Sequence, residues 1–123
     1  MSRSILVIDD ERAVRDAFEL ALEEAGCDVR CAENGPTGLK EIEQQRPDLV
    51  FLDLKMPGLN GVEVLRRIKS HDKTIPVYIV TGFQREYMSE LKTASDEGLD
   101  FELAAKPLSA VQIQAIARAK LPD

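Results

Sequence analysis

The chain has 123 residues, 44% of them hydrophobic and 31% charged, and carries a net charge of -6 at pH 7. That length suits one domain and buries about two-thirds of the unfolded surface without disulfides or a structural metal. The acidic balance, with no cluster of Lys and Arg, excludes a direct nucleic-acid footprint, and no apolar run approaches the roughly 20 residues of a membrane span.

Met1-Ser2-Arg3 runs straight into the first apolar segment, which leaves no room for a signal peptide and sets the expectation of a cytoplasmic protein. The first strand is expected over 4–8, where Ile5-Leu6-Val7-Ile8 is followed at once by Asp9 and Asp10. A helix over 11–25 follows, with Val14, Phe18, Ala21 and Ala25 at helical spacing and acidic residues at its start.

The second strand is expected at about 28–32; Cys27 and Cys31 flank Asp28-Val29-Arg30, and residues 27, 29 and 31 share one face of this extended segment. Cys27 and Cys31 lack a CxxC spacing or a neighbouring His, so they read as buried reduced thiols. Asn34-Gly35-Pro36 opens a second helix, with Asn34 as cap and Pro36 in the first turn, and Arg46-Pro47-Asp48 stops it.

The third strand, 48–52, ends in Leu49-Val50-Phe51-Leu52 and delivers Asp53. A turn-rich stretch, Met56 to Gly61, precedes a helix with Val62, Leu65 and Ile68 inward, and His71 falls in a polar stretch that reads as a solvated loop. The fourth strand, 76–80, delivers Thr81-Gly82. A helix over about 84–97 places Tyr87, Leu91 and Ala94 on one face and stops at Gly98. The fifth strand, 101–105, delivers Lys106-Pro107, and an Ala-rich helix over about 109–120 closes the chain.

This is a βα unit repeated five times. It predicts an α/β fold, a doubly wound five-stranded parallel sheet with right-handed crossovers and helices on both faces. Ligands in such open sheets bind beyond the carboxyl ends of the strands, where the strand order reverses. In the order 2-1-3-4-5 the reversal falls between strands one and three, which Asp9, Asp10 and Asp53 terminate.

The expected edge thus gathers three carboxylates, the Thr81 hydroxyl and the Lys106 ammonium, and Pro107 restricts the backbone of the lysine before it. Clustered carboxylates repel unless a hard cation or a chemical task holds them together. Phosphoryl transfer to a carboxylate uses the whole set: Asp53 as nucleophile, Asp9 and Asp10 on Mg²⁺, Lys106 and the metal neutralising phosphoryl oxygens, Thr81 donating a hydrogen bond. No general base is required, since a carboxylate is ionised at neutral pH. Taken singly these residues are ordinary caps, turns and loops; their order at the ends of strands one, three, four and five carries the reading.

With these residues in place the chain resembles a response-regulator receiver domain, of flavodoxin-like fold, similar to the single-domain chemotaxis regulator and to receivers of the nitrogen-regulation type. The stretches that carry the resemblance are 5–11, 32–35, 47–58, Gly61, Pro76-Val77, Thr81-Gly82 and Lys106-Pro107, so it spans essentially the whole chain as one receiver domain, 1–123. The resemblance implies that Asp53 is phosphorylated from a phosphohistidine on a sensor histidine kinase or phosphotransfer protein. It implies that Asp10 binds Mg²⁺ directly, Asp9 through water, and Lys55 through its backbone carbonyl. Thr81 and Lys106 then respond to the phosphoryl group, and the face made by the fourth helix, fifth strand and fifth helix docks a downstream protein or dimerises.

One departure concerns output. Receivers commonly carry Tyr or Phe three residues before the lysine, and here that residue is Leu103, with Phe101 two residues earlier; the expectation is that the aromatic switch is absent. A second expectation is that Lys55 and Phe83 border the pocket mouth and lengthen the life of an aspartyl phosphate by hindering water. The competing class is a phosphorylation-independent interaction module of receiver-like fold. An aspartyl-phosphate hydrolase would want Asp-x-Asp after the first strand, and a flavin site a phosphate loop without this acidic run.

Overall fold

A computed structural model describes residues 3–82 and 84–121. Its elements alternate as β1 (Arg3–Ile8), α1 (Arg12–Glu24), β2 (Cys27–Ala32), α2 (Gly35–Gln44), β3 (Leu49–Leu52), α3 (Gly61–His71), β4 (Val77–Thr81), α4 (Gln84–Asp96), β5 (Glu102–Ala105) and α5 (Ala110–Lys120). All four strand pairings are parallel and the order is β2-β1-β3-β4-β5, as the alternation predicts.

Alternation along the strands sorts the apolar residues into two cores. Leu6, Ile8, Val50, Leu52 and Ile79 point to one face, where Ile42 of α2, Val62, Leu65 and Ile68 of α3, and Leu91 and Ala94 of α4 cover them. Ile5, Val7, Leu49, Phe51 and Val80 point to the other, beneath Phe18, Ala21 and Leu22 of α1 and Ile113 and Ala117 of α5. Burial on both faces explains why β1 and β3 read as unbroken apolar runs. Phe51 anchors the second core, with its ring centroid 5.0 Å from that of Phe18 in an edge-to-face arrangement.

Local chemistry sets the helix ends. Asn34 and Asn60 accept from Thr37 and Val62 backbone N–H groups, and Ser109 forms a reciprocal capping box with Gln112. Gly98 takes the left-handed φ of 90° that ends α4. Arg30 reaches from β2 to the far end of α2 and donates to the Glu41 carbonyl, which also accepts from the Gln45 N–H, and to the Gln45 carbonyl just past the helix.

Several local expectations are corrected. His71 is the last residue of α3, exposed, where a basic side chain suits the carbonyl end of the dipole; its polar neighbours made it read as loop. No acidic residue lies in the first turn of α1: Glu11 is the N-cap position and makes no side-chain cap hydrogen bond. Cys27 and Cys31 are free thiols but only partly buried, because β2 is an edge strand. The Cys31 thiol contacts the Glu19 carboxylate at 3.5 Å, and burial with that contact pushes its pKa up to about 12, so it behaves as an inert packing residue.

Candidate phosphoacceptor pocket

Backbone register assembles the pocket before any side chain is considered. Ile8 pairs with Leu52 at the end of the β1–β3 ladder. One step on, the Asp53 N–H donates to the Ile8 carbonyl at 2.9 Å and the Asp9 N–H to the Ala32 carbonyl at 3.1 Å. On the other side Thr81 pairs with Ala105, and the Lys106 N–H donates back to the Thr81 carbonyl at 3.1 Å. Four strands thus deliver Asp9, Asp53, Thr81 and Lys106 to one edge.

The segment after Asp53 must turn and pack under the start of α3. Gly61 permits this: a Cβ there would lie 2.4 Å from the Leu54 Cα and 2.7 Å from the Asp53 carbonyl oxygen, so only glycine fits, and its N–H donates to the Leu54 carbonyl at 2.9 Å.

Asp9 and Asp53 are each only 4% exposed, Thr81 is fully buried, and Asp10 lies at the exposed mouth. The Lys106 ammonium lies 2.7 Å from Asp9 Oδ2, 3.4 Å from Glu11 Oε1 and 3.5 Å from Asp53 Oδ2. A second tie orients Asp9, whose Oδ1 accepts from the Glu11 N–H at 2.9 Å, while Arg15 donates to its backbone carbonyl at 2.9 Å. The Lys106–Pro107 peptide is cis.

Charge balance is incomplete. Burial, then the Asp9 carboxylate, push the Asp53 pKa from 3.8 up to about 6; Lys106, the Thr81 hydroxyl and the Leu54 backbone N–H act in the opposite direction without cancelling them. Burial works against the Lys106 ammonium, but the Asp9 hydrogen bond and the charges of Asp53, Asp9 and Glu11 outweigh it and hold its pKa above the ordinary lysine value.

The pocket fits a hard cation on two observations. One carboxylate oxygen from each of Asp9, Asp10 and Asp53 lies within 4.8 Å of the others. Asp53 Oδ1 is buried with no hydrogen-bond partner among the described residues, an acceptor with unused capacity.

The described residues that the sequence assigned to phosphoryl transfer gather here: Asp9, Asp10, Asp53, Thr81 and Lys106 in the pocket, Lys55 on the loop beside it. Phe83 lies outside the described residues. Sequence reasoning missed Glu11 as a partner of Lys106, and Arg15 behind Asp9; their spacing from the acid pair, one and five residues past Asp10, was the available signal. Leu103 stands 38% exposed on β5, while Phe101, just before the strand, packs against the core under α3 and α4. An aromatic is therefore present next to β5, but it is built into the core two residues away from the position at issue.

A doubly wound sheet of this order, with paired acids after β1, an acid after β3 and a lysine after β5, defines the receiver class of two-component signalling. Comparison places the chain in it: the response regulator receiver domain family matches residues 5–118, and the chain belongs to that family, whose standard role is phosphorylation by a histidine kinase. The chain is 37% identical over 121 residues to the response regulator MprA of Mycobacterium ulcerans, covering 98% of this chain and 51% of that protein. It is 37% identical over 118 residues to the transcriptional regulatory protein AfsQ1 of Streptomyces coelicolor, covering 96% and 51%. It thus spans about half the length of these curated relatives. Among solved structures, a CheY-like receiver domain protein from Methanospirillum hungatei matches with a TM-score of 0.88 at 25% identity, covering 98% and 94% of the two chains. NtrX from Brucella abortus matches with a TM-score of 0.84 at 30% identity, covering 98% and 27%. Among the described residues no helix is long and apolar enough to cross a membrane.

Proposed function

We propose that Asp53 is the phosphoacceptor of this receiver and that Asp9, Asp10, Asp53 itself and the backbone carbonyl of Lys55 hold Mg²⁺. The observation that carries the reading is the orphaned, buried Oδ1 of Asp53, on a carboxylate set beside an acidic pair and approached by the Lys106 ammonium only at its other oxygen, Oδ2. Bound there, the cation supplies Lewis-acid neutralisation of phosphoryl oxygens and offsets the repulsion among three carboxylates.

The chain's own groups do the rest. The Asp53 carboxylate attacks the phosphorus of a phosphohistidine on a sensor kinase or phosphotransfer protein; the N–P bond breaks, and the imidazole takes up a proton as it leaves. Lys106, now tied mostly to Asp9, swings a short distance to the new phosphoryl oxygens, and Thr81 donates its hydroxyl to another. These two shifts lie at the ends of β4 and β5, so the surface formed by α4, β5 and α5 is the part of the molecule that changes. A cytoplasmic setting and a single receiver unit over residues 1–123 go with this reading, and a downstream protein is the partner of that surface.

The test is incubation with acetyl phosphate and Mg²⁺ followed by intact-mass measurement. One added phosphoryl group is expected, absent in Asp53→Asn and in EDTA; no mass gain in the parent protein would instead favour a phosphorylation-independent interaction module.

A further inference from the structure

Past Asp9 the chain leaves the β1 ladder, and Asp10 is aimed by its backbone alone. Its side chain is exposed and makes no hydrogen bond or ion pair among the described residues. Its direction is therefore set by the two peptide groups that flank it. The one after Asp10 is held because the Glu11 N–H donates to Asp9 Oδ1 at 2.9 Å. The one before it is held by Arg15, whose Nη1 donates to the Asp9 carbonyl at 2.9 Å. Asp10 thus projects from a corner fastened on both sides, while its own carboxylate stays open to a ligand.

Arg15 is built for this contact and is spent on little else. It is the fourth residue of α1, and helical side chains lean toward the N-terminus of their helix, which brings the guanidinium back over the corner between β1 and α1. The Arg15 N–H donates to the Glu11 carbonyl at 3.1 Å, so the main chain and side chain of one residue grip both ends of the segment 9–11. Partly buried in an acidic chain, Arg15 nevertheless forms no ion pair among the described residues. The next acid along α1, Asp16, pairs with Arg12 instead. The whole charge of Arg15 thus strengthens one hydrogen bond, to the backbone of the acid pair.

We propose that Arg15 is a positioning residue for the metal site: by holding the peptide between Asp9 and Asp10 it aims the Asp10 carboxylate at Mg²⁺, a role that rests on the assignment of Mg²⁺ to this pocket. Removing Arg15 has two effects of opposite sign. A positive charge disappears from behind the acid pair, which by Coulomb's law alone makes the pocket more attractive to a divalent cation. The tie on the Asp9 carbonyl is also lost, so Asp10 turns through directions that do not converge with Asp9 and Asp53, and affinity falls. A clamp predicts that the second effect wins; a mere neighbouring charge predicts the first.

The experiment titrates Mg²⁺ into the parent, Arg15→Met and Arg15→Lys and follows amide NMR shifts, with urea unfolding in EDTA as the control on folding. Arg15→Met should bind Mg²⁺ about tenfold more weakly, the low end of what outer partners of a metal ligand contribute. Arg15→Lys keeps a charge and a donor and should stay nearer the parent. In acetyl phosphate labelling, the Mg²⁺ concentration for half-maximal rate should rise by a similar factor in Arg15→Met, with the rate at saturating Mg²⁺ within about twofold of the parent. Unchanged or tighter Mg²⁺ binding in Arg15→Met overturns the inference. So does a lower rate at saturating Mg²⁺ with the half-maximal concentration unmoved, the mark of a purely structural part. Arg15→Gln, uncharged and shorter, gives the same reading if Arg15→Met does not fold. Absence of Mg²⁺ binding in the parent overturns the metal assignment instead, so the two failures are separable.

Discussion

Asp53→Asn removes a buried carboxyl whose ionisation opposes folding while its shape is kept. Folding weakens Asp53 as an acid, from 3.8 to about 6, so the folded state favours the protonated form and is penalised when the group ionises. The penalty is absent below about pH 4, grows between 4 and 6, and is complete above 6; at 1.36 kcal/mol per tenfold change in acidity it amounts to about 3 kcal/mol. Urea unfolding of both proteins in EDTA from pH 4 to 8 isolates it. The stability of the parent relative to the variant should fall by about 3 kcal/mol across that range and then level off. Adding Mg²⁺ at pH 7.5 should recover stability in the parent by mass action, and much less in the variant. A stability difference that does not change with pH in EDTA would refute the claim that Asp53 is strained by burial and by Asp9.

Other perturbations probe the supports of the pocket. Lys106→Met leaves Asp9 and Asp53 facing each other without their shared ammonium and should cost about 3 kcal/mol at pH 7.5, read by urea unfolding, with a smaller loss at pH 4.5 where Asp53 is protonated. Gly61→Ala forces the start of α3 away from Leu54 and should cost about 2 kcal/mol or more while reducing the yield of acetyl-phosphate labelling, since the backbone after Asp53 must move. Arg30→Met removes the clamp from β2 onto the Glu41 and Gln45 carbonyls and should cost about 1–2 kcal/mol, with labelling of Asp53 unaffected because the contact lies away from the pocket.

Most of the fold was legible because it rests on repetition. Ile5 to Ile8 and Leu49 to Leu52 are apolar at every position, which parallel strands buried on both faces require, and the alternation of such runs with helical patterns leaves few topologies. The pocket was legible for the same reason: in a parallel sheet every strand ends at one edge, so residues far apart in sequence meet without further information. What could not be read depends on side chains that choose between partners. Glu11 looked like a helix-start acid and instead answers Lys106, and the pairings of Lys55 with Glu86 and of Arg66 with Glu97 are invisible until α4 and the turn after it are laid against α3. His71 was misplaced because polar residues at a helix end look like those of a loop. Phe101 was hard to place because a strand boundary shifted by one residue decides whether an aromatic lines the core or faces the surface.

The two margins of the sheet bear on how the molecule meets others. β5 is four residues long, opens with Glu102 tied to Lys120, and is followed at once by Lys106-Pro107. At the opposite margin, β2 carries Asp28 and Arg30, the latter clamped onto α2. Short length, charge and a proline without an N–H each discourage a foreign strand from adding to an exposed ladder. If the proposed switch at Asp53 acts through the α4, β5 and α5 surface, its encounters there are thereby expected to rest on side-chain contacts around exposed groups such as Met88, Leu103 and Val111, contacts that can form and come apart without the backbone being enlisted into a lasting assembly.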